Sequence, residues 1–220
     1  MMTKTLQIDF VSDVACPWCA VGLNAFERAL EQLRQAAPEI EVQLRMQPFE
    51  LNPTMPPEGA DTVQYLSAKY GLGEPQIRAN QQRIREMGAA VGFAFGERAR
   101  VWNTFDAHRL LHWAGLMDEQ MGKQRELKHA LLTAYHGQGR NPGAHEVLVD
   151  LAGAVGLPAD EAARVLESGA YADEVRAAER EWQQAGISSV PSVVVDRQHL
   201  IQGAQPPEVF VQALRQVAAG

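Results

Sequence analysis

Two cysteines separated by two residues, Cys16-Pro17-Trp18-Cys19, stand where the residue pattern changes period, and this junction constrains the fold more than any other part of the chain. Before it, Leu6-Gln7-Ile8-Asp9-Phe10-Val11 alternates apolar and polar residues as a half-buried strand does. After it, Val21, Leu23, Phe26, Leu30 and Leu33 recur at helical spacing, with Glu27, Arg28, Glu31 and Arg34 between them. Pro17 falls in the first turn of that helix, where proline is tolerated, and Ala36-Ala37-Pro38 ends it. Glu41-Val42-Gln43-Leu44-Arg45-Met46 then alternates again, so residues 6–48 form a strand–helix–strand unit with parallel strands.

The spacing has a chemical logic. Residues three apart on a helix share a face, so the two sulfurs can meet. Unpaired N–H groups and the macrodipole at the helix N-terminus favour a thiolate on Cys16, and such placement lowers a thiol pKa from about 8.5 to between about 3.5 and about 7.5. Cys16 is then the nucleophile and Cys19, one turn inside, the resolving thiol. Pro17 stiffens the turn, and Trp18 offers either a flat apolar wall beside the sulfurs or ordinary packing. Spacing alone leaves a metal site open: His108 and His112, at i and i+4, could complete a Cys2His2 set. They lie on a distant helical stretch with no His-Glu-x-x-His motif, and the chain has no third cysteine.

Residues 55–186 read as almost wholly helical, with segments at 61–70, 74–91, 98–121, 124–136, 145–155, 160–168 and 171–184. Strand chemistry returns at Ser192-Val193-Val194-Val195-Asp196, followed by a turn at Asp196-Arg197, a hairpin partner at His199-Leu200-Ile201, and a last helix over 208–217 after Pro206-Pro207. The expected fold class is α/β: one mixed sheet built from residues 1–54 and 187–220, with a large α-helical insertion subdomain over 55–186. Gly71-x-Gly73 and Gly137-x-Gly139 are turns, since neither has the preceding strand or the lysine of a phosphate loop. Met46, Met55, Met87, Met117 and Met121 read as core or cleft lining.

The 220 residues carry a formal charge of −7 with no run of basic residues, which argues against nucleic acid and anionic membranes as partners. The N-terminal residues lack the continuous apolar stretch of a secretory signal, and no stretch approaches the ~20 apolar residues of a membrane helix. A cytoplasmic location is expected, and in a reducing compartment a lone cysteine pair is more often catalytic or metal-binding than a staple.

Taken together, Phe10-Val11-Ser12-Asp13 through Cys19, Gln47-Pro48-Phe49-Glu50-Leu51-Asn52-Pro53, Asn103-Thr104 with His108-Arg109-Leu110, Gly139-Arg140-Asn141, and Val190-Pro191 with Gly203-Ala204-Gln205-Pro206-Pro207 resemble the thioredoxin-fold DsbA-like oxidoreductases. The FrnE-type dithiol-disulfide isomerases are the subgroup most similar. The resemblance spans nearly the whole chain. It implies a thioredoxin-like mixed sheet with a DsbA-like helical insertion, and thiol–disulfide exchange with protein or small-molecule thiols. It also implies a cis Pro191 facing the cysteines, with the Val190 backbone presented to substrate, and Asn103 and His108 lining the cleft between insertion and core. No bound cofactor or metal is implied, and glutathione is a candidate external thiol. Two features depart from the secreted DsbA oxidants: there is no signal, and the dipeptide Pro17-Trp18 lacks a histidine. Without further cysteines, a mechanism using a second pair is excluded. Two rival readings remain on the sequence. One is a glutathione-dependent isomerase or transferase of the 2-hydroxychromene-2-carboxylate isomerase or kappa type, which needs only the Cys16 position. The other is a non-catalytic peptide-binding or chaperone module.

Overall fold

The computed structural model describes residues 3–117 and 122–220. The opening alternation becomes strand β1 (Lys4–Ser12). Its Leu6, Ile8 and Phe10 join one core with Leu23 and Phe26 of helix α1 (Pro17–Ala36). Val11, on the other face of the pleat, packs with Phe49 and Trp182. Helix α1 starts with Pro17 in its first turn and Cys16 as its N-cap residue in an extended conformation. It closes where the Ala37 N–H donates to Leu33 O at 2.8 Å, just before Pro38. Strand β2 (Ile40–Pro48) returns parallel to β1, with Ile8 opposite Leu44 and Ser12 opposite Pro48.

The intervening block follows in chain order. A two-residue strand β3 (Ala60–Asp61) leads into α2 (Thr62–Tyr70) and α3 (Glu74–Ala90). The expected helix over 98–121 is corrected here. Arg100–Val101 is a short strand, β4, paired antiparallel with β3, and helix α4 spans only Phe105–Met117. The reason is local capping. Asn103 Oδ1 accepts from the Phe105 N–H at 2.9 Å, and its Nδ2 donates to Met55 O at 3.0 Å, so the chain is held extended up to Asn103. The remainder of that expected helix, 118–121 with Met121, lies outside the described residues. Helix α5 (Lys123–Leu132) runs on into a wider turn over Thr133–Gly137, and α6 (His145–Ala154), α7 (Ala159–Ser168) and α8 (Ala172–Gln184) complete the block.

Strand β5 (Ser192–Val195) pairs antiparallel with β1, and β6 (His199–Gln202) pairs antiparallel with β5, giving the order β2-β1-β5-β6. The hairpin turns through Asp196 and Arg197, both at positive φ (50° and 55°), the geometry that matches strand twist. Helix α9 (Pro207–Ala219) places Phe210 edge-on to Phe26 at 5.1 Å between centroids. The sheet, α1 and α9 therefore share one core. A second core lies within the insertion, where Leu110, Trp113, Leu131 and Leu148 cluster with Val14 and Ala15 from the turn that precedes Cys16. Among the described residues, no helix is long and apolar enough to cross a membrane.

Helix α1 and the chain at Pro191 approach closely at Gly22. A Cβ there would lie 2.8 Å from Pro191 Cγ and 3.5 Å from Ala204 Cα. Gly22→Ala is expected to lower stability by about 1–3 kcal/mol through overpacking. A urea unfolding midpoint equal to wild type would show that the two segments yield without cost.

Candidate active site

Cys16 and Cys19 are both reduced and both buried, at 4% and 0% exposure. Their settings differ. Cys16 caps α1, and its thiolate is favoured by a hydrogen bond from the Cys19 thiol and by the backbone N–H groups of Cys19 and Trp18. These outweigh burial and the nearby Asp13 charge, and the Cys16 pKa falls below the usual thiol value. Burial, then the hydrogen bond and charge of Cys16, push the Cys19 pKa well above it. The Val190–Pro191 peptide is cis, and the Cys16 thiol lies 3.6 Å from Val190 O.

Asp13, three residues upstream, fixes the turn that carries the pair. Its Oδ1 accepts from the Ala15 N–H (3.0 Å) and the Thr104 hydroxyl (2.8 Å) and lies 3.3 Å from His108 Nε2; its Oδ2 accepts from the Leu51 N–H (2.8 Å). Burial opposes ionisation of this carboxyl, but His108 and the two backbone donors outweigh it and hold the pKa below the ordinary aspartate value. His136 Nε2 donates to Val14 O at 2.8 Å, and Arg98 Nη1 donates to Ala15 O at 3.1 Å. The turn over residues 13–15 is thus tied to the insertion through both its side chain and its carbonyls.

A cleft of about 620 Å³ opens in front of Cys16. Trp18, Tyr65, Leu66, Ile77 and Ile84 give it apolar walls, and Pro17 lies at its edge beside Cys16. Its charged lining is wholly cationic among the described residues: Lys69, Arg83 and Arg98. A second cavity of about 590 Å³ lies against β2 and is lined by His108, His112, Arg45 and Lys128.

Of the residues singled out from sequence, the structure brings together Cys16, Pro17, Trp18, Cys19, Val190 and Pro191. Asn103 and His108 are placed elsewhere. Asn103 caps α4 and ties down Met55, and His108 is buried against Asp13 with its flank on the second cavity. His112 lies beside Tyr171, with ring centroids 5.3 Å apart and the planes tilted. Among the described residues, no three His, Cys, Asp or Glu groups could hold a metal ion. Asp13, Arg98, Lys128 and His136 went unmarked in the sequence reading. The signal for Lys128 was its place one turn before Leu131 and Leu132, on the apolar face of its helix.

A mixed sheet carrying a dithiol at the start of its first helix places the chain in the thioredoxin class of folds. Within that class it belongs to the DSBA-like thioredoxin domain family, whose family model matches residues 7–215. A "probable DsbA oxidoreductase" of Streptomyces coelicolor is 39% identical and superposes with a TM-score of 0.86, covering 97% of this chain and 90% of its own. The uncharacterized protein YwbO of Bacillus subtilis is 28% identical over 211 residues, 96% of each chain. The cytosolic disulfide reductase DsbM of Pseudomonas aeruginosa, solved with glutathione, shares the fold at 17% identity and a TM-score of 0.65, covering 97% of this chain and 100% of its own.

His136 yields a pH prediction. Burial, then the Arg98 charge, push its pKa down to about 3. The unfolded chain binds a proton there below about pH 6.5, and the folded chain does not until about pH 3, so acid favours unfolding across that window. His136→Asn should therefore lose less of its urea midpoint than wild type between pH 7 and pH 5; equal losses would place the acid sensitivity elsewhere.

Proposed function

We propose that this protein is a thiol–disulfide oxidoreductase/isomerase that exchanges disulfides with protein or small-molecule thiols through Cys16 and Cys19. The observation that carries the reading is the asymmetry of the pair. The cysteine at the helix N-terminus and the cleft has the lowered pKa, and the one sealed behind it has the raised pKa. The Cys16 thiolate attacks a substrate disulfide and one substrate thiolate leaves. The Cys19 thiolate then attacks Cys16 Sγ, which closes the Cys16–Cys19 disulfide and releases the second substrate thiolate. Oxidation of a substrate dithiol runs the same steps in reverse. A glutathione-dependent isomerase would use the Cys16 position alone, and a Cys19 thiol donating to Cys16 has no task there.

The chemistry of the cleft supports a carboxylate-bearing external thiol such as glutathione. On a chain of net charge −7, the charged groups lining the cleft are Lys69, Arg83 and Arg98 among the described residues. Electrostatic complementarity of this kind favours anionic ligands, and glutathione is the ligand of the cytosolic relative DsbM. A cytoplasmic role, with that thiol abundant, accords with the same reading.

Cys16→Ser should abolish reduction of insulin disulfides, and Cys19→Ser should accumulate a mixed disulfide through Cys16. Wild-type turnover in both variants would refute the mechanism. Arg83→Gln should raise KM for glutathione disulfide by up to about fivefold, the factor given by a solvated ion pair worth about 1 kcal/mol. It should leave KM for the neutral 4,4′-dithiodipyridine unchanged, and an equal effect on both disulfides would remove charge as the basis of recognition.

A further inference from the structure

The cleft in front of Cys16 has a neighbour. A second pocket of about 360 Å³ adjoins it, and Pro17, Gln81, Ile84 and Arg98 line both. With four residues in common, the two cavities are adjacent compartments along the same face of α3 and the start of α1. Cys16 lines the first compartment and not the second. The thiol is only 4% exposed, so a substrate sulfur reaches it by entering the cleft.

The compartments differ in charge. Among the described residues the first carries cations alone, whereas the second carries both signs: Arg78, Arg85 and Arg98 together with Asp61 and Glu97. His136 also lines it but is neutral well below physiological pH, its pKa being held down to about 3. Some of these groups are already engaged. Asp61 Oδ1 accepts from the Gln64 N–H at 2.9 Å, and Arg78 is paired with Glu74. Arg85 is steadied by Gln82 Oε1, which accepts from its Nε at 3.1 Å and its Nη2 at 2.9 Å, while its Nη1 makes no bond among the described residues. Glu97 has no ionic partner among them either. Thr62, 1% exposed, also lines this compartment, and its hydroxyl is buried without a partner. A buried hydroxyl in that state costs free energy that a polar ligand atom would restore.

We propose that the second compartment binds the leaving half of a small disulfide whose thiol carries both carboxylate and ammonium groups. The inference rests on the exchange reaction proposed above and narrows its substrate to a disulfide with two polar arms, such as glutathione disulfide. One arm occupies the cationic cleft with its sulfur at Cys16. The other crosses Pro17 into the second compartment, where Arg85 meets a carboxylate and Glu97 the ammonium. The Cys16 thiolate attacks the near sulfur, the S–S bond breaks, and its electron pair leaves with the far sulfur as a thiolate. A wall of both signs suits a zwitterionic arm, since a purely cationic wall would repel the ammonium. The volume is at the small end of ligand pockets, which fits a short peptide arm and shuts out the surface of a folded protein.

The test mixes reduced protein with glutathione disulfide or with the mixed disulfide of glutathione and 2-mercaptoethanol. The second reagent has one zwitterionic arm for the cleft and only a neutral hydroxyethyl group for the second compartment. The second-order rate constant for oxidation of the protein thiols is measured with each at neutral pH, and the ratio of the two is the readout. In Arg85→Gln the ratio should fall by up to about fivefold, the effect of one solvated charge pair. Ala99→Trp, which sets an indole at an exposed position lining the second compartment, should lower the ratio at least as far. Arg83→Gln, in the first compartment, should slow both reagents alike. A ratio that stays at the wild-type value in either Arg85→Gln or Ala99→Trp overturns the proposal, whether both rates hold or both fall together. Failure of the reduced wild-type protein to react with either disulfide instead removes the exchange reaction itself.

Discussion

The Asp13 carboxylate joins the turn before Cys16 to the segment after β2 and to the insertion. A buried carboxylate is tolerated only when its lone pairs are met by donors. Here the donors come from the turn itself (Ala15), the segment after β2 (Leu51) and the start of α4 (Thr104 and His108). The donors belong to three different pieces of the fold, so satisfying one charge sets the position of the turn against both sheet and insertion. Val14 and Ala15 add apolar contacts in the same direction by entering the helical core. The turn before Cys16 is thus fixed by both polar and apolar contacts to the insertion, which sets where α1 begins.

This arrangement also explains how two chemically identical side chains come to differ. Cys16, at the helix mouth, meets N–H groups and the Cys19 thiol, which favour its anion. Cys19, one turn deeper, meets burial and the sulfur of its partner, which disfavour its own. Neither effect requires an unusual residue. Both follow from the three-residue spacing once the helix start is fixed, and that start is fixed by the turn that Asp13 secures.

The parts of the molecule governed by local pattern were legible in the sequence. The alternation over Leu6–Val11, the helical run from Val21 to Leu33 and the second alternation over 41–46 gave β1, α1 and β2 with ends displaced by a few residues. The Asp196-Arg197 turn and the final hairpin were equally visible. The segment after Arg98 departs from its helical pattern because its strand pairing with Ala60–Asp61 and the Asn103 bond to Met55 depend on residues some forty to fifty positions away. The same holds for the polar groups of the site. Asp13 meets Thr104 and His108 across separations of 91 and 95 residues. No local period records such a meeting: His108 both bonds Asp13 and lines the cavity between β2 and the insertion helices, and only the second role follows from its place on a helix flank.

The insertion therefore does more than cover the dithiol. The strand–helix–strand core and the segment leading into β5 supply the two sulfurs and the cis proline. The insertion supplies the side chains that hold the turn before Cys16: His108 from α4 at Asp13, His136 from the turn after α5 at Val14 O, and Arg98 from the stretch before β4 at Ala15 O. The walls of the cleft come from α2 and α3 through Tyr65, Ile77 and Ile84. A thioredoxin-type core fixes where the two sulfurs sit. The helices inserted into it anchor the turn before Cys16 and line the cleft in front of it, so the surroundings of the dithiol on this sheet are set in large part by the insertion.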